Sequence, residues 1–353
     1  MSGKVRVLVV GCGTMGSSHA RAYHRLDGFE LAGLADVAPQ RRATLAAELG
    51  GPPEFDNLGE ALEALKPDAV SVNTWPDTHA ELTRQALRAG AHVFVEKPLA
   101  ESVADAEQVV ELAGKTGRKV VVGYILRHHP AWARFIEIAR TLGKPLVMRM
   151  NLNQQSAGPQ WLAHKRLMDS LSPIVDCGVH YVDVMCQMTR SRPVRVQAIG
   201  ARLSDELKPG MYNYGQLQVV FADGSVGWYE AGWGPMMSET AYFVKDVIGP
   251  GGSVSIVKAG GDSSDIDGHT QTGSICIHHG ELGQAGRWVR QDELIDTSDE
   301  PDHQQLCQRE QEFFLRAIGE DLDLSEHLAD AVNSLRIVLA ADESVRAGRA
   351  VEL

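Results

Sequence analysis

Lys4-Val5-Arg6-Val7-Leu8-Val9-Val10-Gly11-Cys12-Gly13-Thr14-Met15-Gly16 decides how the chain begins to fold. The β-branched run breaks at Gly11, and a segment of helical period follows from Thr14 to Leu26, so the order is strand, tight turn, helix. The turn reads G-x-G-x-x-G. Its first glycine permits the turn, the second lets backbone approach a pyrophosphate, and the third allows close helix packing. Such a hexapeptide alone says little, because glycines are common in turns; its setting gives it weight. It opens a helix whose N-terminal amides can hold phosphate, and Asp36 stands 20 positions past Gly16, at the end of the second strand. The expectation is a dinucleotide held by Gly11, Gly13, Thr14, Met15 and Gly16, with Asp36 accepting from the adenosine ribose hydroxyls. A carboxylate there repels a 2′-phosphate and favours NAD over NADP, a preference tempered by Arg41 and Arg42 on the following helix.

Working outward, the alternation continues. Strand Phe29 to Ala35 is followed by helix Pro39 to Leu49, and helix Leu58 to Leu65 by strand Ala69 to Val72. Helix Thr78 to Ala89, strand His92 to Val95, helix Val103 to Gly114 and strand Lys119 to Val122 complete the series. Strands alternating with helices of this length predict a parallel, doubly wound sheet covered on both faces, a Rossmann domain over residues 1–123. Past Gly123 the texture changes to helix Pro130 to Leu142, strand Leu146 to Asn153, and a loop rich in Gln, Ser and Gly leading to Trp161. From Val194 strand follows strand, with Ala222-Asp223-Gly224-Ser225 as a hairpin turn and further strands near Tyr242 to Ile248, Ser253 to Val257 and Ser274 to His279. Residues 260–273 read as a surface loop, and helices Gln304 to Ile318 and Leu328 to Ala347 close the chain. The fold class is α/β, with a C-terminal α+β domain over 124–353 built on a large, open, mostly antiparallel sheet and C-terminal helices able to pack back on the first domain.

The bulk numbers narrow the function. A chain of 353 residues exceeds what one core usually supports, and 44% hydrophobic with 23% charged residues is ordinary globular composition. Net charge is −12, with no Lys/Arg run to neutralise a phosphate backbone, which argues against nucleic acid. No stretch approaches the ~20 apolar residues of a membrane span, and the run Val7 to Val10 is too short for a signal segment. The expectation is a cytoplasmic protein. Five scattered cysteines without a Cys-x-x-Cys pair read as reduced thiols. The 13 histidines include the adjacent pairs His128-His129 and His278-His279, whose members cannot converge on one ion, so no metal is expected.

Two further constellations carry chemistry. Val95-Glu96-Lys97-Pro98 ends a strand, and in an open α/β sheet that end faces the ligand crevice, where a partly desolvated Lys97 can donate to a ligand hydroxyl and help tune a proton transfer. Ile174 to Met188 reads as one helix carrying Asp176, His180 and Asp183 at i, i+4 and i+7, on one face. Its many valines indicate burial, and a buried acid beside a histidine suggests catalysis.

Together, the glycine turn, the Glu-Lys-Pro tripeptide at 96–98 and Asp-x-Gly-x-His-x-x-Asp at 176–183 resemble the Gfo/Idh/MocA oxidoreductases, over nearly the whole chain. Asn73-Thr74-Trp75-Pro76-Asp77-Thr78-His79 looks like that family's nicotinamide-side loop, and Gly123 to Arg127 resembles its domain crossover. The resemblance implies Lys97, Asp176 and His180 as the catalytic group, and Thr74, Trp75, Pro76, His79, Glu96 and Lys97 beside the cofactor. Arg127, Trp161, His164, Lys165 and Asp183 join Lys97, Asp176 and His180 as candidate contacts to a small polyhydroxylated substrate. It further implies a homodimer or homotetramer through the C-terminal sheet. One departure stands out: many members carry a glycine cluster where this chain reads Ser170-Leu171-Ser172-Pro173. The implied activity is hydride transfer between NAD and a secondary alcohol or ketone of a sugar, inositol or related polyol. An NAD-retaining glycoside-cleaving enzyme and a non-catalytic sugar sensor are the alternatives.

Overall fold

A computed structural model describes residues 3–238, 244–257, 270 and 272–353. They fall into two compact units, Met1–Ile125 with Asp302–Val332, and Leu126–Pro301 with Asn333–Leu353.

In the first unit, β1 (Val5–Val10), α1 (Thr14–Arg25), β2 (Phe29–Ala35), α2 (Pro39–Glu48), β3 (Glu54–Phe55) and α3 (Leu58–Leu65) are followed by β4 (Ala69–Val72), α4 (Pro76–Arg88), β5 (His92–Glu96), α5 (Val103–Thr116) and β6 (Val120–Gly123). The six strands are parallel, in the order β3-β2-β1-β4-β5-β6. Every residue of β4, β5 and β6 is buried, the signature of a sheet covered on both faces. Local chemistry sets the helix starts. Asn57 and Ser102 cap α3 and α5, accepting from Glu60 N–H and Asp105 N–H. α4 starts at Pro76 rather than the expected Thr78, because proline at the first helical position has φ pre-set and no N–H to lose. The two-residue β3, unanticipated, is too short to show alternation. Of the later chain, α10 (His303–Gly319) lies against α1: Tyr23 Oη donates to Gln311 Oε1 at 2.6 Å, and Phe314 joins a core with Val7, Leu34, Phe94 and Val121.

The second unit carries a nine-stranded sheet ordered β14-β13-β12-β11-β7-β10-β9-β8-β15. Its strands are β7 (Val147–Gln155), β8 (Pro193–Ala201), β9 (Tyr214–Phe221), β10 (Val226–Gly234), β11 (Lys245–Gly249), β12 (Gly252–Val257), β13 (Ser274–His279), β14 (Glu293–Asp296) and β15 (Val351–Glu352). Among the described residues of this sheet, only β7 and β10 pair in parallel. The hairpin at Ala222–Ser225 forms as expected, with Gly224 at φ +83° and Ser225 N–H donating to Asp223 Oδ1. Helices α6 (Pro130–Thr141), α7 (Gly158–Leu167), α8 (Pro173–Asp176) and α9 (Gly178–Thr189) precede β8, and α11 (Ser325–Ala347) precedes β15. On one sheet face Tyr229, Ala231 and Trp233 are buried beneath α7, α8 and α9.

Three expectations change here. The loop expected to lead to Trp161 ends earlier, because α7 begins at Gly158. The helix expected over Ile174 to Met188 is divided at Cys177, where His180 N–H bonds back three residues to the Cys177 carbonyl. The strand expected from Tyr242 begins at Lys245 among the described residues; 242–243 lie outside them, as does most of the loop expected over 260–273. Within that loop Thr270 and Thr272 are buried, against the surface position expected for it. Among the described residues, no helix is long and apolar enough to cross a membrane.

Candidate functional site

The glycine turn of the first unit meets three separate constraints. Gly11 has φ +89°, and a Cβ there would stand 2.5 Å from the Asn73 carbonyl oxygen. At Gly16 a Cβ would stand 1.7 Å from the Gly11 carbonyl oxygen, so α1 lies against the turn only because no side chain intervenes. Gly13 is different: the nearest atom to its Cβ position is Arg41 Nη1, 4.0 Å away, so its backbone faces open space. Gly13 is also the N-cap of α1, and the first turn through Thr14, Met15 and Gly16 carries neither a side-chain cap nor an acid. Uncapped amides beside open space are what a pyrophosphate requires.

Asp36, at the end of β2, is tied to this turn: Oδ2 accepts from Cys12 N–H at 2.6 Å and Oδ1 from Ala38 N–H at 2.7 Å. Each carboxylate oxygen keeps a second lone pair for a hydroxyl donor. Burial, reinforced by the Asp36 charge, pushes the Cys12 thiol up to about 12, so it remains a thiol. The two arginines separate. Arg42 donates to the Asp36 carbonyl at 2.6 Å and is ion-paired with Glu54 and Asp56, whereas Arg41 is exposed.

On the next strands the geometry is one of mutual positioning. Trp75 caps α4 and is 40% exposed, while Thr78 Oγ1 donates to its carbonyl and meets Thr74 Oγ1 at 2.6 Å. His79 is buried with Nδ1 2.7 Å from the Pro98 carbonyl and Nε2 3.1 Å from the Thr74 carbonyl. Burial lowers its pKa against the pull of both carbonyls, and the ring lies between the Thr74 carbonyl before Pro76 and the Pro98 carbonyl after Lys97. Buried Glu96 contacts His19 Nε2 at 2.8 Å through Oε1 and accepts from Lys97 N–H at 3.2 Å through Oε2. Burial works to raise Glu96, but the hydrogen bond from His19 outweighs it and holds the carboxyl below its usual range. Lys97 thus follows an anchored strand end.

In the second unit, Asp176 and His180 are both buried, one at the end of α8 and the other in the first turn of α9. The Ser170–Pro173 departure has a structural role. Ser172 caps α8, accepting from Val175 N–H, Pro173 occupies its first position, and Ser172 Oγ donates to Asp342 Oδ1 at 2.6 Å. Tyr212 also donates to Asp342, so a buried polar cluster fixes the start of the helix that delivers Asp176. Behind α9, Gly178 leaves room for Tyr229, whose ring a Cβ would approach to 2.8 Å. Tyr229 Oη and Trp233 Nε1 are buried without a hydrogen-bond partner among the described residues, a condition that calls for an explanation such as a ligand or ordered water.

The remaining candidates divide into small groups. Arg127 grips Asp183 through both carboxylate oxygens, Nε to Oδ2 at 2.8 Å, and Gln187 Nε2 donates to the same Oδ2. These two expected substrate contacts therefore hold each other. Trp161 Nε1 donates to Glu206 at 3.1 Å, and Lys165 ion-pairs with the same carboxylate. His164 meets Ser156 Oγ at 3.0 Å and stacks on Trp233, ring centroids 4.3 Å apart. Sequence reading missed Glu206, Ser156, Trp233 and Tyr229, which lie outside any short motif, and His19, whose place three residues past Gly16 was the available signal.

Known proteins resemble both parts of the chain. Residues 5–124 match the oxidoreductase family with NAD-binding Rossmann fold, and residues 136–253 match the GFO/IDH/MocA C-terminal domain. The scyllo-inositol 2-dehydrogenase (NAD(+)) of Bacillus subtilis (strain 168) is 30% identical over 296 residues, 77% of this chain and 82% of that protein. The inositol 2-dehydrogenase of Acidiphilium cryptum (strain JF-5) is 29% identical over 56% of this chain, and the match spans only 58% of that relative's length. The scyllo-inositol dehydrogenase structure from Lactobacillus casei shares the fold, with a TM-score of 0.78 at 18% identity, covering 100% of this chain and 99% of that one. The chain belongs to the GFO/IDH/MocA family of NAD-binding oxidoreductases.

Proposed function

We propose that this protein is an NAD-dependent dehydrogenase that interconverts a secondary alcohol and the corresponding ketone of an inositol or similar polyol. The carrying observation is the glycine turn, closed at Gly11 and Gly16, open at Gly13, and joined to Asp36 rather than to a free arginine. Bound NAD supplies the hydride acceptor, a two-electron chemistry no side chain offers. His180 removes the proton of the substrate hydroxyl as the carbon–hydrogen bond is given up, and Asp176 orients and supports the imidazole. Lys97, following the anchored Glu96, donates to the substrate oxygen and steadies the charge that develops there. His79 and Glu96 serve as positioning residues for the segments that bear Thr74, Trp75 and Lys97. Trp161, His164 and Lys165 frame the substrate, whereas Arg127 and Asp183 act through each other to hold α9.

The inositol class is favoured by the B. subtilis relative, whose match covers most of both chains. Self-association belongs to the same reading. On the sheet face opposite Tyr229, Val147, Val226 and Ile248 are cross-strand neighbours, each nearly 40% exposed, an apolar row suited to a second copy of the sheet. A cytoplasmic location accords with an NAD-dependent activity and with five scattered cysteines that include no Cys-x-x-Cys pair. The test is His180→Ala: NADH formation from the best inositol should fall at least ~100-fold, the scale of lost general-base catalysis, while NAD affinity is unchanged. Turnover near that of the parent would remove His180 from its role.

A further inference from the structure

A second cluster of ligating side chains lies behind Glu96, between α1 and α10 of the first unit. His19, Cys307 and Glu310 are all buried, and one imidazole nitrogen, the thiol sulfur and one carboxylate oxygen lie within 4.8 Å of one another. They come from opposite ends of the chain, so no local spacing reveals them. Glu310 is the anomaly: it is 1% exposed, and neither carboxylate oxygen has a hydrogen-bond partner among the described residues. A buried, unpartnered carboxylate is resolved by a proton or by a cation. The neighbouring Glu96 carboxylate, the thiol and the imidazole favour a cation with affinity for nitrogen and sulfur.

We propose that His19, Cys307 and Glu310 form a binding site for a divalent transition metal of the zinc type. The histidine is prepared for it. Nε2 faces the Glu96 carboxylate at 2.8 Å, which assigns the proton to Nε2 and leaves the lone pair on Nδ1, now accepting from the Gln311 amide at 2.9 Å. A carboxylate behind a ligating imidazole is the usual support of zinc-bound histidine. The metal takes the place of the Gln311 N–H on Nδ1, and Cys307 binds as thiolate after releasing its proton to solvent. Ligand atoms around a tetrahedral zinc stand roughly 3.3–3.8 Å apart, so a small inward rotation closes the site. A fourth ligand is at hand: His303, one turn before Cys307, places Nε2 3.5 Å from Cys307 Sγ. Half-buried at the start of α10, it also marks the route from solvent. This goes beyond hydride transfer: the ion locks α10 to α1, its two charges matched by the Cys307 thiolate and the Glu310 carboxylate.

Cobalt(II) titration of the tag-free, chelator-stripped full chain reads the site directly, because thiolate ligation gives a near-ultraviolet charge-transfer band. The expected result is one equivalent per chain with that band, displaced by zinc. Cys307→Ser should abolish the band, Glu310→Gln should weaken binding at least tenfold, and Cys276→Ser should leave both unchanged. Should Cys307→Ser fail to fold by circular dichroism, the near-isosteric Glu310→Gln carries the test. Absence of the band in the parent, its persistence in folded Cys307→Ser, undiminished affinity in Glu310→Gln, or loss of metal on replacing His278 and His279 would each overturn the proposal.

Discussion

At the scale of single residues, the structure separates groups that hold the protein together from groups left for chemistry. Asp183 looked like a substrate contact because it shares the stretch of Asp176 and His180, yet its carboxylate is 1% exposed and gripped by Arg127. Removing it strands a guanidinium, so Asp183→Ala should cost about 3–5 kcal/mol of stability, measured by urea unfolding. A variant of parental stability but raised KM would return Asp183 to substrate binding. His92 gives a pH dependence. Burial, aided by Arg118 and Lys119, lowers it to about 4, and its Nδ1 accepts from Lys119 N–H. Between pH 6.5 and about 4 the unfolded chain therefore binds a proton that the folded one refuses, and stability falls as pH falls through that window. His92→Asn, which can keep the acceptor, should flatten the fall; an unchanged pH profile would contradict this account of the ring. The geometry of the candidate site was legible where a motif fixed it, as in the turn at Gly11–Gly16 and its tie to Asp36. It was illegible where partners lie far apart in sequence, as for Glu206 beneath Trp161 and Lys165.

At the scale of elements, the Rossmann strands and helices were readable because each carries its own signal. A β-branched run gives β1 and a largely apolar run gives β2, a capping serine gives α5, and proline at the first position moves the start of α4. The division at Cys177 left only a weak mark, Gly178, because the apolar spacing runs on across it and only the hydrogen bonding tightens. The glycine turn offers the cleanest test at this scale. Gly16→Ala drives a methyl into the Gly11 carbonyl and should displace α1, with a loss of about 1–3 kcal/mol or more and loss of NAD binding. Gly13→Ala meets open space, so it should leave stability within ~1 kcal/mol while weakening NAD at least tenfold. Equal stability losses in both variants, by chemical denaturation, would mean that Gly13 serves packing rather than the pyrophosphate.

At the scale of the whole molecule, alternation of strand and helix against strand after strand told the two kinds of sheet apart before any coordinates. The return of Asp302–Val332 to the first unit is a long-range event that composition does not encode. Ligand linkage reports on the whole chain: NAD at 100 times its Kd should add about 2.7 kcal/mol to the stability of whatever binds it. NADP at the same concentration should add less, because the Asp36 carboxylate opposes a 2′-phosphate and Arg42 is already held by Glu54 and Asp56. Equal Tm shifts for the two nucleotides would point to Arg41 as a phosphate contact. The central claim is transfer of hydride from a polyol carbon, and it is tested most directly with an inositol deuterated at its oxidisable carbon, incubated with NAD and the purified protein. Ketone should form, with the deuterium recovered at C4 of the nicotinamide. Substrate consumed without label in the nicotinamide, or no oxidation of any inositol or related polyol, would contradict it.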